Sequence, residues 1–394
     1  KRFKEGDWLS LNGTKGFVYA GQLPTSFKAI EDDTYFINFM KLADRFSNLT
    51  VRANAETKKE ALQALRFGAK GIGLFRTEHI FYGEKGDKPL LAMQQLICSN
   101  DEAARQKALH SLFPFFKKDF LDIFKIMEGY PVTIRLLDPP LHEFLPNDEQ
   151  KISALATLLG ITQADIQSRI QSLRESNPML GHRGVRLGIS YPEITQMQVQ
   201  AIFEAAAELI KKRKRVSPEI MIPVTISGAE LQHQQKIVLD VYQQVCKKYQ
   251  LSAIPFHFGT MIETPRAALC ADQMAAYSDF FSFGTNDLTQ MTMGLSRDDI
   301  GSFLPEYLRQ HIISADPFAH IETEGVGQLI HMAVEKGRKK HHQLEMGVCG
   351  EHAGDAKSID FFSKAGIDYV SCSPYRVPVA RLAAAQSALM SKVR

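Results

Sequence analysis

From about Leu49 onward, short apolar runs alternate with longer stretches whose apolar residues recur at helical spacing. The strand-like runs are LTVRANA (49–55), GIGLFRT (71–77), PVTIRLLD (131–138), GVRLGI (184–189), EIMIPV (219–224), FHFGTMIE (256–263), DFFSFGTND (279–287), LEMGVCG (344–350) and DYVSCS (368–373). Helical stretches such as TKKEALQALRFGA and ITQMQVQAIFEAAAELIKK lie between them. Apolar runs that barely alternate read as strands buried on both faces, and their repetition with helices predicts a parallel sheet covered by helices. Eight such strands close a barrel. The expected fold is therefore α/β, a (β/α)8 TIM barrel with helical insertions. The runs supply one strand too many, and GVRLGI, broken by arginine and glycine, is the weakest.

The first forty residues follow another pattern. WLSLNGTKGFVYAG alternates apolar and polar residues about Asn12-Gly13 and predicts a β-hairpin. LPTSFKAIEDDTY then reads as a linker. A lone hairpin is too small to fold by itself, so it is an extension packed on the barrel or the tail of another domain. The division drawn is 1–40 for hairpin and linker, and 41–394 for the barrel.

Polarity enters the apolar runs at their C-terminal ends, where Arg76, Arg135, Glu263, Asn286, Asp287 and Cys349 sit. In a parallel barrel those ends converge on one mouth, where active sites are built. A charge there must be paired or lie in a wet cleft.

Composition changes this picture little. Hydrophobic residues are 44% and charged residues 23% of the 394, with a formal net charge of +3. That is an ordinary globular balance, too weakly basic to point to a nucleic acid or a membrane surface. The five cysteines are scattered and form no C-x-x-C pair, so a disulfide framework is not expected and a reducing, cytoplasmic setting is. The chain opens on Lys1 without an apolar leader and is expected to be part of something longer. LATLLGITQADIQSRIQSL (155–173) resembles a helix-turn-helix, but its second helix lacks the basic face that DNA requires. It reads instead as a helical insertion covering the mouth. KKRKR (211–215) and GRKKHH (337–342) end predicted helices, where cations complement the dipole. FGAKGIG (67–73) precedes a strand and is not a nucleotide fingerprint.

The chemistry gathers at the mouth. In TMIETPRAAL, Glu263 ends a strand and Thr264-Pro265 starts a helix. Asp287 takes the same place in SFGTNDLTQ. Two neighbouring carboxylates suit Mg2+, whose other positions go to water and substrate oxygens. Arg76 and Arg135, with Arg183 from GHRGVR as a third, suit a small anion bound through bidentate contacts. GVCGEHAG (347–354) sets a thiol between glycines, where it could serve proton transfer.

The words GIGLFRTEHIFY, TIRLLDPPLHEFLP, NPMLGHRGVRLGI, EIMIPVT, GTMIETPRAAL, SFGTNDLTQMTMGLSRDD and CGEHAGD, in this order, closely resemble one enzyme family. It is the phosphoenolpyruvate/pyruvate-binding barrel at the C-terminus of the pyruvate, phosphate dikinases, within the PEP-utilizing enzymes. The hairpin and FKEGD resemble the end of that family's phosphohistidine domain and the start of its linker. The resemblance implies Glu263 and Asp287 as Mg2+ ligands. It implies Arg76 and Arg135 on the phosphoryl and enolate oxygens, and Arg183 as a further anion contact. Gly284, Thr285, Asn286 and Asp287 would form a substrate loop, and Cys349 the general acid/base. It also implies a homodimer and a phosphohistidine domain as partners. ATP turnover is not expected of this chain alone, because it carries neither an ATP-binding domain nor the T-x-H-type segment. The alternatives are phosphoenolpyruvate synthase, enzyme I of the sugar phosphotransferase system, and, more distantly, a Mg2+-dependent aldolase or lyase acting on a pyruvate enolate.

Overall fold

Eight of the nine apolar runs are parallel strands in the structure, a computed structural model that describes residues 2–12, 16–25, 33–82, 86–99, 101–175 and 177–393. β1 (Leu9–Asn12) and β2 (Phe17–Ala20) form the N-terminal hairpin. The other strands are β3 (Thr50–Asn54), β4 (Ile72–Arg76), β5 (Pro131–Arg135), β6 (Ser217–Ile222), β7 (His257–Ile262), β8 (Phe280–Phe283), β9 (Glu345–Val348) and β10 (Tyr369–Cys372). They pair in the order β10-β3-β4-β5-β6-β7-β8-β9 and close into a barrel. Helices cover its outside, so β8 and β10 are buried along their whole length. Burial on both faces is why these runs show so little alternation.

The ninth run is a correction. GVRLGI forms a helix, Val185–Ser190, and not a strand. Six residues are too few for periodicity to separate the two, and the preceding backbone decides the matter. Gly184 turns the chain at φ +57°, and the Val185 N–H then donates to the Pro223 carbonyl at 3.0 Å. The segment thus lies across the end of β6 instead of beside it.

The helix-turn-helix lookalike is a helical insertion, as expected. It comprises the helices Glu149–Leu159 and Gln163–Leu173, with Gly160 left-handed between them. Ile152, Leu155, Ala156 and Ile166 form a separate small core against Leu91 and Cys98. Arg169 fixes it by donating to the Ile97 carbonyl at 2.9 Å. The apolar faces are thereby spent on the outer helix Asp87–Cys98.

In the hairpin Asn12 pairs with Phe17, so Asn12 belongs to β1, and the rest of the expected Asn12-Gly13 turn falls on residues 13–15, outside the described residues. Part of the expected linker, residues 26–32, also lies outside them. A helix, Thr34–Phe46, runs through the boundary drawn at residue 40. It is held to the C-terminal helix by Arg381, whose guanidinium reaches both Asp44 oxygens at 2.8 and 2.7 Å.

Side chains two apart on a strand share a face, and this stacks the barrel interior in layers. At the base, Arg52 donates to Glu219 at 2.7 Å and to Glu345 at 2.6 Å, and Thr133 donates to Glu219 at 2.6 Å. The Arg52 guanidinium also lies 3.7 Å from the centre of the Tyr369 ring. That ring needs Gly347, since a Cβ there would stand 2.0 Å from the Tyr369 Cζ atom. Above the base sits an apolar layer of Leu74, Met221, Met261, Phe280 and Cys349, drawn from strands all around the barrel. Two residues further along, Leu74 gives way to Arg76 and Met261 to Glu263.

The base makes a stability prediction. Arg52→Ala leaves Glu219 charged and buried, and should destabilise the chain by about 3–5 kcal/mol, whereas Arg52→Met paired with Glu219→Gln should cost far less. Urea unfolding at 25 °C measures both, and equal losses would contradict the assignment of the energy to an unpaired charge.

Candidate functional site

Arg76 and Arg135 close β4 and β5 and are direct partners across the two strands. Two guanidiniums side by side need counter-charges, and each has its own. Arg76 donates to Glu56, which also lies 3.0 Å from His79 Nδ1. Arg135 donates to Glu78 and lies 3.0 Å from Asp138 Oδ2. Arg183 arrives on the long excursion between β5 and β6. It grips Asp138 with both arms, Nε to Oδ1 at 3.1 Å and Nη2 to Oδ2 at 2.5 Å, and its Nη2 is 3.5 Å from Asp287 Oδ2. Burial opposes ionisation of Asp138, but Arg135 and Arg183 outweigh it and hold the carboxyl below its ordinary range.

The acidic side is under the opposite stress. Glu263 follows β7 and is only 2% exposed. Its Oε1 accepts from the Val224 N–H at 2.7 Å. Val224 holds that N–H in place from a left-handed backbone, φ +57°, a conformation a β-branched residue adopts only where its surroundings force it. Burial first, then Asp287 and Asp138, push the Glu263 carboxyl up to about 8. Asp287 lies in the first turn of the helix Thr285–Met293, and burial raises it too. Three guanidiniums thus interact with Glu56, Glu78, Asp138 and Asp287, and Arg183 and Arg135 also act on the buried Glu263. Glu263, pushed toward protonation by burial and Asp287, and Asp287, pushed the same way by burial and Asp138, fit a hard divalent ion that leaves room for water or substrate oxygens.

Cys349 follows β9 and faces the barrel interior. Its N–H donates to the Phe283 carbonyl at 3.1 Å, and its own carbonyl accepts from Asn54 Nδ2 at 3.2 Å. The thiol packs against Leu74, Met221, Met261 and Phe280, within the fields of Glu263, Arg135 and Arg76. Burial pushes it up to about 11, with the Ser282 hydroxyl pulling the other way. At neutral pH it is therefore a thiol, a group with a proton to give. The flanking Gly350 lets the loop press against the helix Thr285–Met293, since a Cβ there would stand 2.1 Å from Thr285 Oγ1. The Glu351 N–H donates to Asn286 Oδ1 at 3.1 Å, and the Thr285 hydroxyl is engaged by His352 at 2.7 Å. Gly284 lies flush against Glu263, whose Oε2 would be 2.4 Å from a Cβ at that position. A cavity of about 860 Å³ opens at the side of this rim nearest Arg76, lined in part by Asn54, Glu56, Gly350, Glu351 and Arg376, while Arg135, Arg183, Glu263, Asp287 and Cys349 lie outside its lining.

All the residues singled out in the sequence except Arg183, which comes from the long excursion between β5 and β6, thus lie at the strand ends or directly after them. Sequence reasoning missed Glu56, Glu78 and Asp138, the internal partners of the arginines, and the Val224 strain. The first three had a signal, since each stands two or three residues past an apolar strand residue, the place where Arg76 and Arg135 were recognised. Ser282 and Tyr369 gave none. Both look like ordinary strand residues, yet the Ser282 hydroxyl acts on the Cys349 thiol, and the buried Tyr369 hydroxyl is pushed up by burial with a smaller contribution from Cys349.

Comparison with known proteins agrees with this arrangement. The family described as PEP-utilising enzyme, PEP-binding domain, matches residues 31–389. The chain is 48% identical over 392 residues to pyruvate, phosphate dikinase of Clostridium symbiosum, covering 99% of this chain and 44% of that protein. It is 52% identical over 384 residues to pyruvate, phosphate dikinase 2 of Oryza sativa subsp. japonica, covering 97% of this chain and 43% of that protein. The chloroplastic pyruvate, phosphate dikinase of Mesembryanthemum crystallinum is 51% identical over 388 residues, covering 98% of this chain and 40% of that protein. The chain therefore spans less than half the length of these relatives. Among the described residues no helix is long and apolar enough to cross a membrane.

The stressed carboxyl gives a pH prediction. Glu263 binds its proton more tightly folded, at about 8, than its ordinary value of 4.5. The native chain then holds more protons than the unfolded chain across that window, so without divalent metal its stability falls as pH rises through it. Glu263→Gln lacks this loss. In EDTA, the urea midpoint of the variant should therefore gain on the parent chain between pH 5.5 and pH 8, and a gap that stays constant or moves the other way would refute the stressed carboxyl.

Proposed function

The chain belongs to the PEP-utilising enzymes, as their PEP-binding domain, and from that premise we propose that it forms the pyruvate/phosphoenolpyruvate half-site of a pyruvate, phosphate dikinase. The observation that carries this reading is the opposition at one rim of three guanidiniums and two stressed carboxyls, with a buried thiol directly beneath. Such a rim suits a small molecule bearing both a carboxylate and a phosphoryl group, and it places a proton donor where a flat enolate would lie.

In this proposal Arg76 and Arg135 hold the phosphoryl and enolate oxygens through their forked donors, and Arg183 adds a further anion contact. Gly284, Thr285, Asn286 and Asp287 border the substrate. Thr285 does so through its backbone, because its hydroxyl is taken by His352. Glu263 and Asp287 would hold Mg2+, which when bound supplies positive charge that stabilises an enolate oxygen. The Val224 N–H fixes one Glu263 oxygen and leaves the other free for that role. Cys349 then moves the proton. In the direction of pyruvate its S–H bond breaks, the enolate π pair forms the new C3–H bond, and a thiolate remains. In reverse that thiolate takes a methyl proton back. The arginines stabilise both charged states, and the apolar layer around the sulfur keeps water away.

The complete reaction of the proposed enzyme converts ATP, phosphate and pyruvate to AMP, pyrophosphate and phosphoenolpyruvate. Its phosphoryl carrier would be a histidine outside this chain, on a domain of which β1 and β2 are the end. The hairpin supports this by leaving Trp8, Leu11, Phe17 and Val18 exposed. A homodimer through the barrel belongs to the same proposal, supported by an exposed stripe of Tyr35, Phe39, Leu42 and Phe46 along one helix. Five free cysteines suit a reducing, cytoplasmic compartment.

The test is NMR of pyruvate methyl-proton exchange into deuterium oxide by this chain with Mg2+. Cys349→Ala and Glu263→Gln should each slow the exchange by roughly 100-fold or more, the usual weight of a placed acid/base. No exchange by the parent chain, or exchange that survives both substitutions, would remove the proposal.

A further inference from the structure

His352 stands three residues past Cys349, has no exposed surface, and takes no part in the chemistry above. We infer that it is a positioning residue, a neutral tether that holds the thiol loop in register with the helix bearing Asp287. The inference goes beyond the proposed function and rests on it only for its activity readout.

Both ring nitrogens are engaged. Nε2 lies 2.8 Å from the Pro317 carbonyl and Nδ1 lies 2.7 Å from Thr285 Oγ1. A carbonyl can only accept, so Nε2 carries the hydrogen. The neutral ring then offers Nδ1 as the acceptor for the Thr285 hydroxyl. Burial, which favours the uncharged ring, agrees with this tautomer.

The tether joins three segments. The thiol loop is one, and the helix Thr285–Met293 is the second. The third is the cavity wall at residues 316–321, which is bound to the same loop region by His320 Nδ1 to Asp355 Oδ2 at 3.0 Å and by the Ile321 N–H to Ser358 Oγ at 3.0 Å. Thr285 lies two residues before Asp287, and His352 three residues after Cys349. The bond between them thus links the thiol loop to the acidic rim through two side chains, beside the bond from the Glu351 N–H to Asn286 Oδ1. Proton transfer to carbon depends steeply on the approach distance. A loop that slips against the helix would lose rate before it lost affinity.

Amide variants separate the two arms. Asn at position 352 retains an acceptor near Nδ1, and Gln retains an N–H donor near Nε2. In the methyl-exchange assay, His352→Asn should stay within about threefold of the parent kcat, while His352→Gln and His352→Leu fall roughly tenfold or more with KM within about threefold. Thr285→Val should fall as His352→Leu does, and the double variant should be no slower than either, because both cut one link. A folded His352→Leu with parental kcat, an Asn variant as slow as the Leu variant, or losses that multiply in the double variant would each overturn the tether. If His352→Leu does not fold, His352→Gln and Thr285→Val decide it. A second readout needs no turnover. Iodoacetamide labelling of Cys349, followed by mass spectrometry, should quicken at least tenfold in His352→Leu or Thr285→Val and stay near the parental rate in His352→Asn. Unchanged labelling in the first two overturns the inference. A parent chain that shows no exchange removes the proposed function alone, and the labelling then judges the tether.

Discussion

Closure of a parallel sheet is the constraint on which everything else here depends. Eight strands running the same way into a ring must deliver their C-terminal ends to one rim. The two-residue repeat of a strand then points every second side chain at the axis. A polar base, an apolar middle and a charged rim follow from reading inward positions up the strands. Thr133 leads to Arg135, Leu74 to Arg76, Met261 to Glu263 and Gly347 to Cys349. The apolar layer seals the barrel and also gives the rim a floor that water does not share. That floor drives the Glu263 carboxyl and the Cys349 thiol up together.

This logic explains what could be read from the residues alone. The barrel was legible because both faces of its strands are buried, which leaves runs such as FHFGTMIE almost unbroken until the charge at their end. The site residues were legible because a buried strand tolerates Arg or Glu only where it meets a cleft. Where a different force decides, the reading fails. GVRLGI has a strand's composition, but Gly184 and the Pro223 carbonyl turn it into a helix. The helices Glu149–Leu159 and Gln163–Leu173 were legible as helices, but their partner, the helix Asp87–Cys98, was not, since periodicity gives an apolar face without saying what it meets. Val224 is invisible in sequence altogether, because a left-handed valine is set by the loop that surrounds it and not by its own preference.

The internal partners of the arginines carry the more consequential lesson. Reading Arg76, Arg135 and Arg183 as a waiting anion site is incomplete, because each already holds a carboxylate. These pairs preorganise the guanidiniums, fixing their direction before any ligand arrives, and spare the barrel three unpaired buried cations. Glu263 and Asp287 are the carboxyls of the rim that burial pushes up, and a divalent cation held between them, as proposed, would relieve that stress.

The same surroundings bear on why sulfur suits the proton-carrier role proposed for Cys349. A carboxylate in its place would set another negative group in the field of Glu263, and a lysine would compete for Glu263 and Asp287, the proposed metal ligands. A thiol is neutral at rest, tolerates the apolar layer of Met221, Met261 and Phe280, and in the proposed transfer would become charged only transiently, within the fields of Arg135 and Arg76. Its neutrality comes at a structural requirement, because a neutral group is not drawn to the site by charge. It must be held there by geometry, and the loop Gly347–Gly354 is fixed accordingly, by Asn54 on one side and by Thr285 and Asn286 on the other. Position, where other sites use charge, is what this loop provides.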